Sequence, residues 1–505
     1  MSNASVFRRS WPALLAVIGV LAFWPSGGAS ASALPAHPTA TQVFNVKTFG
    51  ATGNGTSNDT PAVNKAIAAA NGAGGGIVEF PAGTYKAGGS IHMMSNVTLQ
   101  LDSGSTLAGA SSGYDAPEAN PNDKFQDFGH SHFHDAMIWG DRLTNIGFTG
   151  SGTIDGGGHF ITGNPKSGQA DKLISLTRCT GLTLNGITLK RGGHFAILTN
   201  DCANITSDHL TISTASDRDG WNVINAQHVK ITNITDASND DALVFKSDWA
   251  LGQTLNNGDV TVTGAHLSAG CCNALMFGSE TCGNFTGYTF TDITITHAGK
   301  SGLGMVSMDG ANISNVTYNN VTMSGTASPI MEKIGSRLRC GGHPTIGSIS
   351  NVHYNGVTGT SAGAFSPTLW GASGHQISNV TFSNVNLTLP GGHGAMSTGV
   401  PSDNGDYNPN SIGTRPAYGF YLHNVTGITF TNSSVRLAKS DGRPAFIANS
   451  AGPVTFDHVT AQAGSGSPFD IGFQSVNGFC VTSSTTTTGG ALRVSTTGST
   501  QSCSG

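Results

Sequence analysis

One phrase recurs along the chain, as ISNVTYNNVTMSG (residues 313–325), ISNVHYNGVTGTS (349–361) and ISNVTFSNVNLTL (377–389). Each copy alternates apolar and polar residues, which is the pattern of a half-buried β-strand. Each copy is bounded by Asn, Gly or Ser, which favour turns. The phrase therefore predicts many short strands rather than helices.

The spacing of the phrase indicates how these strands are arranged. Leu182, Ile205 and Val229 occupy matching positions and are 23 and 24 residues apart, whereas the later copies begin 36 and 28 residues apart and leave room for loops. A repeat of about 20 to 25 residues built from strands alone is typical of a parallel β-helix, a solenoid. A sandwich of hairpins is the alternative, but hairpins favour tight Asn-Gly or Gly-Gly turns. We therefore predict an all-β fold built as a parallel β-helix.

One helix is predicted ahead of the repeats, in SNDTPAVNKAIAAANG (residues 57–72). Asn58 or Asp59 can serve as N-cap, a proline lies in the first turn and a glycine ends the segment. The apolar face of the helix consists of Val63, Ile67 and Ala70. Because a solenoid exposes an open edge at its first coil, we expect this N-terminal helix to cap it.

The composition excludes several classes of function. The chain has 505 residues, a net charge of −5 and only 10% charged residues. A protein that binds nucleic acid or a membrane surface carries a basic patch, so neither partner is expected. We expect a monomer without a cofactor or a metal ion.

The first residues have the pattern of a targeting segment. Arg8 and Arg9 precede the apolar run WPALLAVIGVLAFW (residues 11–24), which small residues follow. This pattern predicts a signal peptide cleaved near Ala31 or Ala33. A membrane anchor is the alternative, but a spanning helix needs about 20 apolar residues. We therefore divide the chain of a secreted protein into a signal peptide, residues 1–33, and one β-helix domain, residues 34–505.

The eight cysteines fit an oxidising compartment, where thiols pair. Cys480 and Cys503 flank a Thr-rich tail, and we expect a disulfide between them to fasten the C-terminal end. Cys179 and Cys202 are 23 residues apart, which is about one coil. A zinc site is the alternative use of the cysteines, and the absence of a Cys-x-x-Cys pair disfavours it.

The segment ASNDDALVFKSD (residues 237–248) places two carboxylates directly before an apolar strand. Asp219 precedes Asp240 by 21 residues and Asp241 by 22, again about one coil. Neighbouring coils lie roughly 4.8 Å apart, so we expect the three carboxylates on one face. Repulsion among them raises at least one pKa, which is how glycosidases obtain an acid beside a base. Structural Asp residues or a calcium site are the alternatives.

Two segments, STASDRDGWNV (residues 213–223) and SNDDALVFKS (238–247), resemble the polygalacturonase family, glycoside hydrolase family 28. Its hallmark is Asn-Thr-Asp-Gly, followed by Gly/Gln-Asp-Asp and an apolar strand that ends Ile-Lys-Ser. VKTFGATGNGTSNDTPAVNKAI (46–67) and GGGIVEFPAGTYKAG (74–88) also resemble the cap and first coil of this pectin-degrading superfamily. The resemblance runs from about residue 44 to about residue 330 and implies a right-handed β-helix.

The resemblance implies inverting hydrolysis of a pectin-like polysaccharide, of the galacturonan or rhamnogalacturonan type. Asp240 would be the general acid that protonates the glycosidic oxygen. Asp219 and Asp241 would hold and deprotonate the attacking water, which needs carboxyl groups roughly 6.5–9.5 Å apart. Lys246 matches the lysine that closes the family's strand. His194 resembles an aromatic or histidine position on the substrate side, with a structural role as the alternative.

The chain departs from the family where the substrate is held. The family's Gly-His-Gly aligns with CCNALMFGSE (residues 271–280), so Asn273 replaces the histidine. The family's Arg-Ile-Lys aligns with SGLGMVSMDG (301–310), so Gly304 and Val306 replace both cations, which grip galacturonate in the family. These departures favour the same reaction on a different polysaccharide, such as a branched or mixed pectin or a neutral glycan.

Several other residues are candidates to bind substrate. Glu280 is predicted on the rim, where it could bind a hydroxyl, and arginine suits bidentate capture of carboxylates. The full set of predicted substrate-binding residues is Asn273, Lys246, His194, Glu280, Arg218, Arg337 and Arg339, with Lys300 as a further replacement cation. Candidates for stacking against sugar rings are Trp221, Trp249 and Trp370. Three alternating histidines, predicted to share one face of a strand as a ladder or rim rather than a metal site, are His130, His132 and His134.

Two other functions stay open at this point. A polysaccharide lyase on the same fold would use Arg337 or Arg339 as its base, and its unsaturated product would absorb light. A non-catalytic carbohydrate-binding solenoid would cleave no polysaccharide.

Overall fold

The strands of the chain form a right-handed parallel β-helix, as predicted. This computed structural model describes residues 42–363 and 365–503. The strands pair in parallel, which overturns the alternative of a hairpin sandwich. The predicted signal peptide and the predicted domain start at residue 34 lie outside the described residues.

The described residues contain 38 strands, most of them short. In the first half of the chain they are β1 (Val43–Asn45), β2 (Asn54–Asn58), β3 (Gly76–Phe80), β4 (Gly83–Ala87), β5 (Ile91–His92), β6 (Val97–Leu101), β7 (Ser105–Gly109), β8 (Ala136–Asp141), β9 (Thr144–Gly150), β10 (Thr153–Asp155), β11 (Lys172–Thr177), β12 (Thr180–Asn185), β13 (Thr188–Lys190), β14 (Phe195–Asn200), β15 (Ala203–Asp208), β16 (Thr211–Thr214), β17 (Asp219–Ile224), β18 (Gln227–Thr232), β19 (Thr235–Ser238) and β20 (Leu243–Ser247). In the second half they are β21 (Asn257–Ala269), β22 (Leu275–Thr281), β23 (Phe285–Ser307), β24 (Asn312–Ile334), β25 (Ser348–Ser361), β26 (Thr368–Trp370), β27 (Ile377–Ser383), β28 (Asn386–Leu389), β29 (Phe420–His423), β30 (Val425–Thr431), β31 (Ser434–Leu437), β32 (Phe446–Ala451), β33 (Val454–Asp457), β34 (Thr460–Ala461), β35 (Ile471–Thr482), β36 (Thr485–Thr486), β37 (Val494–Thr497) and β38 (Thr500–Gln501).

A typical coil contributes one strand to each of three stacks that run along the solenoid. The stack that carries the repeated phrase runs β1, β3, β6, β9, β12, β15, β18, β21, and continues through β23, β24, β25, β27, β30, β33 and β35. The stack that later carries the carboxylates runs β5, β8, β11, β14, β17, β20, β22 and then β23. The long strands β23 and β24 turn corners and belong to all three stacks.

The predicted cap is present as helix α1 (Thr60–Gly72). Its apolar residues Val63, Ile67 and Ala70 are fully buried against the first coil. Asp59 is the N-cap residue, and its carboxylate accepts from the Thr52 amide at 2.7 Å rather than from the helix. The remaining helical segments are short: α2 (Phe128–Ser131) and three 3₁₀ turns, Val46–Phe49, Asp123–Phe125 and Pro409–Ser411. Among the described residues, no helix is both long and apolar enough to cross a membrane.

An aromatic ladder fills the bore in the later coils. The rings stack in nearly parallel pairs with centroids 4.5 to 5.1 Å apart, which matches the strand spacing of about 4.8 Å. They belong to Phe290, Tyr318, Tyr354, Phe382, Phe430 and Phe456. Tyr318, Tyr354 and Phe382 come from the three copies of the repeated phrase. The aromatic position of the phrase therefore recurs where rings of successive coils stack.

Three disulfides fasten the solenoid. Cys480–Cys503 closes the C-terminal end as predicted, and Cys179–Cys202 joins neighbouring coils. A third, Cys282–Cys340, ties the loop after β24 to the loop after β22. Cys271 and Cys272 remain as thiols.

Candidate active site

Four strands of one stack set the positions of the predicted site residues. Trp221 pairs with Leu243, Leu243 with Leu275, and Leu275 with Leu303. Two residues before these positions, the register aligns the Asp241 row: Asp219, Asp241, Asn273 and Ser301. Three residues before them, it aligns the Asp240 row: Arg218, Asp240, Cys272 and Lys300. Backbone hydrogen bonds from Asp240 to Arg218 (3.0 Å) and from Lys300 to Cys272 (2.9 Å) hold that second row together.

The three carboxylates differ in their access to solvent. Asp219 and Asp241 are buried, with 3% and 5% of their surface exposed, whereas the Asp240 side chain is 20% exposed. Asp240 accepts a hydrogen bond from the Arg218 guanidinium at 3.3 Å. Asp240 is therefore the carboxylate of the three that a soluble polymer reaches most directly.

Asn273 fixes the orientation of Asp241. Its amide nitrogen and its side-chain nitrogen both donate to Asp241 Oδ1, at 3.0 and 2.8 Å. Its side-chain oxygen accepts from the Ser301 amide at 3.1 Å. The residue predicted to bind substrate thus holds a carboxylate of the site.

A buried chain of charges lies beneath the carboxylates. Lys246 Nζ lies 3.4 Å from Asp219 and 3.8 Å from Glu280. His130 Nε2 lies 3.3 Å from the same ammonium group, and its other ring nitrogen lies 3.6 Å from Glu280. Glu280 is 3% exposed, so its predicted place on the rim is wrong.

Two predicted arginines are already engaged by carboxylates. Arg337 donates to Asp309 at 2.8 Å through Nε, and Nη2 donates to the Ser279 carbonyl at 2.6 Å. Arg339 bridges Glu280 at 2.6 Å and Asp127 at 3.2 Å. These ion pairs tie the loop after β24 to the buried chain of charges.

Lys300 differs from these cations. Its ammonium group donates to the Tyr407 hydroxyl at 3.2 Å and lies 5.0 Å from the centre of that ring. Within the described residues it has no carboxylate within 4.0 Å. The half-buried Lys300 is thus an unpaired cation in the Asp240 row.

At the two positions where the family has cations, this chain has residues that pack against apolar side chains. Val306 is buried in an apolar cluster with Val244, Met276 and Met308, and Tyr407 packs against that cluster. A Cβ added at Gly304 would lie 3.3 Å from Met276. A long cation at either position would disrupt this packing.

The sequence of residues 82–405 matches the family model of glycosyl hydrolases family 28. The chain belongs to glycosyl hydrolases family 28. It is a glycoside hydrolase, which sets aside the lyase and the non-catalytic binding protein. The resemblance seen in the sequence is confirmed.

Individual proteins are similar to this chain over a large part of its length. An endo-polygalacturonase of Pectobacterium carotovorum subsp. carotovorum is 25% identical over 320 residues, covering 59% of this chain and 77% of that protein. A probable endo-xylogalacturonan hydrolase A of Aspergillus fumigatus is 25% identical over 341 residues, covering 62% and 77%. A solved exopolygalacturonase of Thermotoga maritima has the same fold, with a TM-score of 0.60, 14% identity, and coverage of 78% and 92%.

In this family 28 hydrolase the three carboxyl groups have different pKa values. Burial raises the pKa of Asp219 to about 8, and the charges of Asp240 and Asp241 add to the effect, while the Lys246 ammonium opposes it. Burial also raises the pKa of Asp241, with Asp240 adding to it. Burial acts the same way on Asp240, but the Cys272 thiol and the Arg218 guanidinium outweigh it and hold the pKa of Asp240 below its usual range. At neutral pH the three groups together therefore retain a proton.

The ion pairs beneath the carboxylates keep Glu280 charged. Burial disfavours that charge, but the surrounding basic groups hold the pKa of Glu280 well below its usual range: His130 when its ring is protonated, and the permanent charges of Lys246, Arg337 and Arg339. Burial lowers the pKa of His130 and of His194. His194 is 4% exposed and its ring stacks on Phe195 with centroids 4.1 Å apart, so the ring is buried rather than open to a substrate.

The histidine and tryptophan predictions need correction. His130, His132 and His134 do not share a strand face, because His130 lies in helix α2 and His132 directly follows it. His130 reaches the site through a loop from an earlier coil, and its sequence spacing gives no signal of this. Trp221 is fully buried in the bore and Trp370 is 8% exposed, so neither presents a free face to a sugar.

Proposed function

We propose that the chain is a secreted hydrolase that cleaves glycosidic bonds of a pectin-like polysaccharide with inversion. The substrate is of the galacturonan or rhamnogalacturonan type. The observation that carries the proposal is the row register, in which Asp219, Asp240 and Asp241 lie on adjacent coils and the half-buried Asp240 is the most accessible of the three. The relatives named above, which are polygalacturonases and a xylogalacturonan hydrolase, support the choice of a galacturonate-containing chain.

In this mechanism Asp240 is the general acid and gives its proton to the glycosidic oxygen as the bond to the anomeric carbon breaks. Asp219 and Asp241 hold a water and accept its proton as the water oxygen bonds to the opposite face of that carbon. A polysaccharide that covers Asp240 removes it from water, which raises its pKa and favours the protonated acid. In the free protein the retained proton lies on Asp219, so in this mechanism substrate binding moves that proton to Asp240 and leaves Asp219 ionised as the base.

We propose Lys300 and Tyr407 as the groups that bind a carboxylate of the substrate. The neighbouring cations Arg218, Lys246 and Arg339 face carboxylates of the chain itself, whereas Lys300 faces a neutral hydroxyl. A uronate beside Asp240 would supply the missing partner. Lys300→Met should therefore raise KM for de-esterified pectin about 10-fold or more and change KM for fully methyl-esterified pectin little.

The central test is Asp240→Asn, assayed by release of reducing ends from pectic, hemicellulosic and bacterial polysaccharides. We expect turnover to fall by about 10²–10⁴-fold, the range for loss of a general acid. The matched control is Asp217→Asn, an aspartate one coil earlier that lies outside both rows. Proton NMR of the first product should show the inverted anomer. Retained configuration, an unsaturated product, or unchanged turnover in Asp240→Asn contradicts the proposal.

Secretion is tested on the protein itself. The predicted leader and the disulfides support export to an oxidising compartment. We expect the mature protein in the culture medium, beginning directly after Ala31 or Ala33, and a monomer in size-exclusion chromatography. A protein that stays inside the cell with its first residue intact contradicts this part.

A further inference from the structure

Two thiols and a carboxylate meet in the Asp240 row. The sulfur atoms of Cys271 and Cys272 and a carboxylate oxygen of Asp240 all lie within 4.8 Å of one another. Cys271 is exposed and Cys272 is buried, and the Cys272 thiol lowers the pKa of the Asp240 carboxyl group. The other six cysteines of the chain form disulfides, so this pair is chemically distinct.

The turn that carries the two thiols is fixed on both sides. The Cys271 amide donates to the Asn239 carbonyl at 2.6 Å, and the Cys272 carbonyl accepts from the Lys300 amide at 2.9 Å. Gly270 donates to Ser238 at 2.9 Å. Because both neighbouring coils hold this backbone, the sulfur atoms and the carboxylate are positioned before any ligand arrives.

A disulfide between adjacent cysteines is disfavoured by geometry. Adjacent Cα atoms lie about 3.8 Å apart across a trans peptide, whereas disulfides usually need roughly 4.4–6.8 Å. A tetrahedral metal ion with bonds of about 2.3 Å to sulfur instead asks for sulfur atoms roughly 3.8 Å apart. The two free sulfur atoms lie within 4.8 Å of each other and of the carboxylate, which is compatible with one shared metal ion.

We propose that Asp240, Cys271 and Cys272 bind a thiophilic divalent cation of the Zn²⁺ class. Two thiolates and one carboxylate provide three ligands, and a water completes the tetrahedron. Binding releases the two thiol protons to solvent and involves no oxidation. Asp241 adds negative charge beside the site, while Lys300 opposes the cation from the next coil.

A cation bound at this site would affect catalysis. Asp240 cannot donate a proton while its carboxylate is bound to a metal ion, so the cation would inhibit hydrolysis. This consequence rests on the proposed function of Asp240, whereas cation binding itself does not. The two are therefore tested by separate measurements.

Cation binding is measured with Co²⁺ as the probe, on the full-length protein treated with chelator and kept under anaerobic conditions. We expect one equivalent of Co²⁺ to give thiolate-to-cobalt absorption in the near ultraviolet and tetrahedral bands in the visible, which one equivalent of Zn²⁺ removes. In Cys271→Ser the near-ultraviolet band should fall to about half or less at saturation, because one of the two thiolates is lost. Asp217→Asn, the matched control, should bind Co²⁺ as the wild type does.

Three outcomes overturn the site. They are Co²⁺ binding to the reduced protein without thiolate bands, bands that persist unchanged in Cys271→Ser, and a thiol titration of native protein that finds the pair already joined as a disulfide. Inhibition is scored as the ratio of activity with and without Zn²⁺ within each variant. Zn²⁺ should inhibit the wild type at least 10-fold and Cys271→Ser far less. Thiolate bands without inhibition would leave the metal site standing and contradict the role of Asp240.

Discussion

Asp219→Asn should lower activity and raise stability, in a way that depends on pH. Asp219 is buried and its pKa is raised to about 8, against an ordinary value of 3.8. Between these values the folded protein keeps a proton that the unfolded chain has released. Stability therefore falls as pH rises, by about 1.4 kcal/mol per pH unit for this one group.

The expected size follows from that slope. Between pH 5 and pH 7 the wild type should lose roughly 3 kcal/mol of unfolding free energy through Asp219, and the Asn variant should not. Asp236 and Asp248 are also buried, and burial raises the pKa of each to about 7. Their contribution is the same in both proteins and cancels in the difference.

The assay is urea unfolding of wild type and Asp219→Asn at pH 5, 6 and 7, with turnover measured on the same preparations. The stability of the variant relative to wild type should rise across this range, while turnover stays about 10²–10⁴-fold below wild type. The exposed Asp292→Asn serves as control and should show neither change. A stability difference that stays flat within about 0.5 kcal/mol from pH 5 to pH 7 refutes the reasoning about Asp219.

Two further predictions concern buried polar contacts. Tyr354→Phe removes the 2.8 Å hydrogen bond to the buried Glu332 and should cost about 1–3 kcal/mol in urea unfolding. Tyr288→Phe is its control, since the Tyr288 hydroxyl has no partner among the described residues, and equal costs would contradict this account. Arg339→Met removes a cation from Glu280, whose pKa is held low in the fold, so it should cost about 2 kcal/mol at pH 7. Because the fold keeps Glu280 ionised below its ordinary pKa, that cost should persist at about pH 4 and shrink only at lower pH, where Glu280 takes up a proton. A cost that stays unchanged down to about pH 2 would show that the ion pair is not its source.

The repeats and the carboxylates could be predicted from sequence because both follow the coil. A parallel register turns a spacing of 21 or 22 residues into adjacency in space, so Asp219, Asp240 and Asp241 could be placed without any structure. The stacking of Tyr318 on Tyr354 expresses the same rule in the bore.

The remaining site residues could not be predicted, because they come from loops that obey no coil period. His130 and Tyr407 reach the site from loops before β8 and β29. The sequence also gives no sign that Asp309 engages Arg337, since their contact depends on where the loop after β24 folds back. Charge clusters in sequence therefore overstate how many cations are free for a substrate.

The two rows of the site have a consequence for how such an enzyme changes over evolution. Each coil contributes one residue to each row, and the pitch between coils is set by backbone hydrogen bonds rather than by the side chains. Gly304 and Val306, which stand where the family has cations, can thus alter the local charge while the neighbouring carboxylates keep their spacing. The solenoid thus separates the carboxylates, whose spacing must stay constant, from neighbouring positions that can select the substrate. Substrate preference can therefore change one coil at a time.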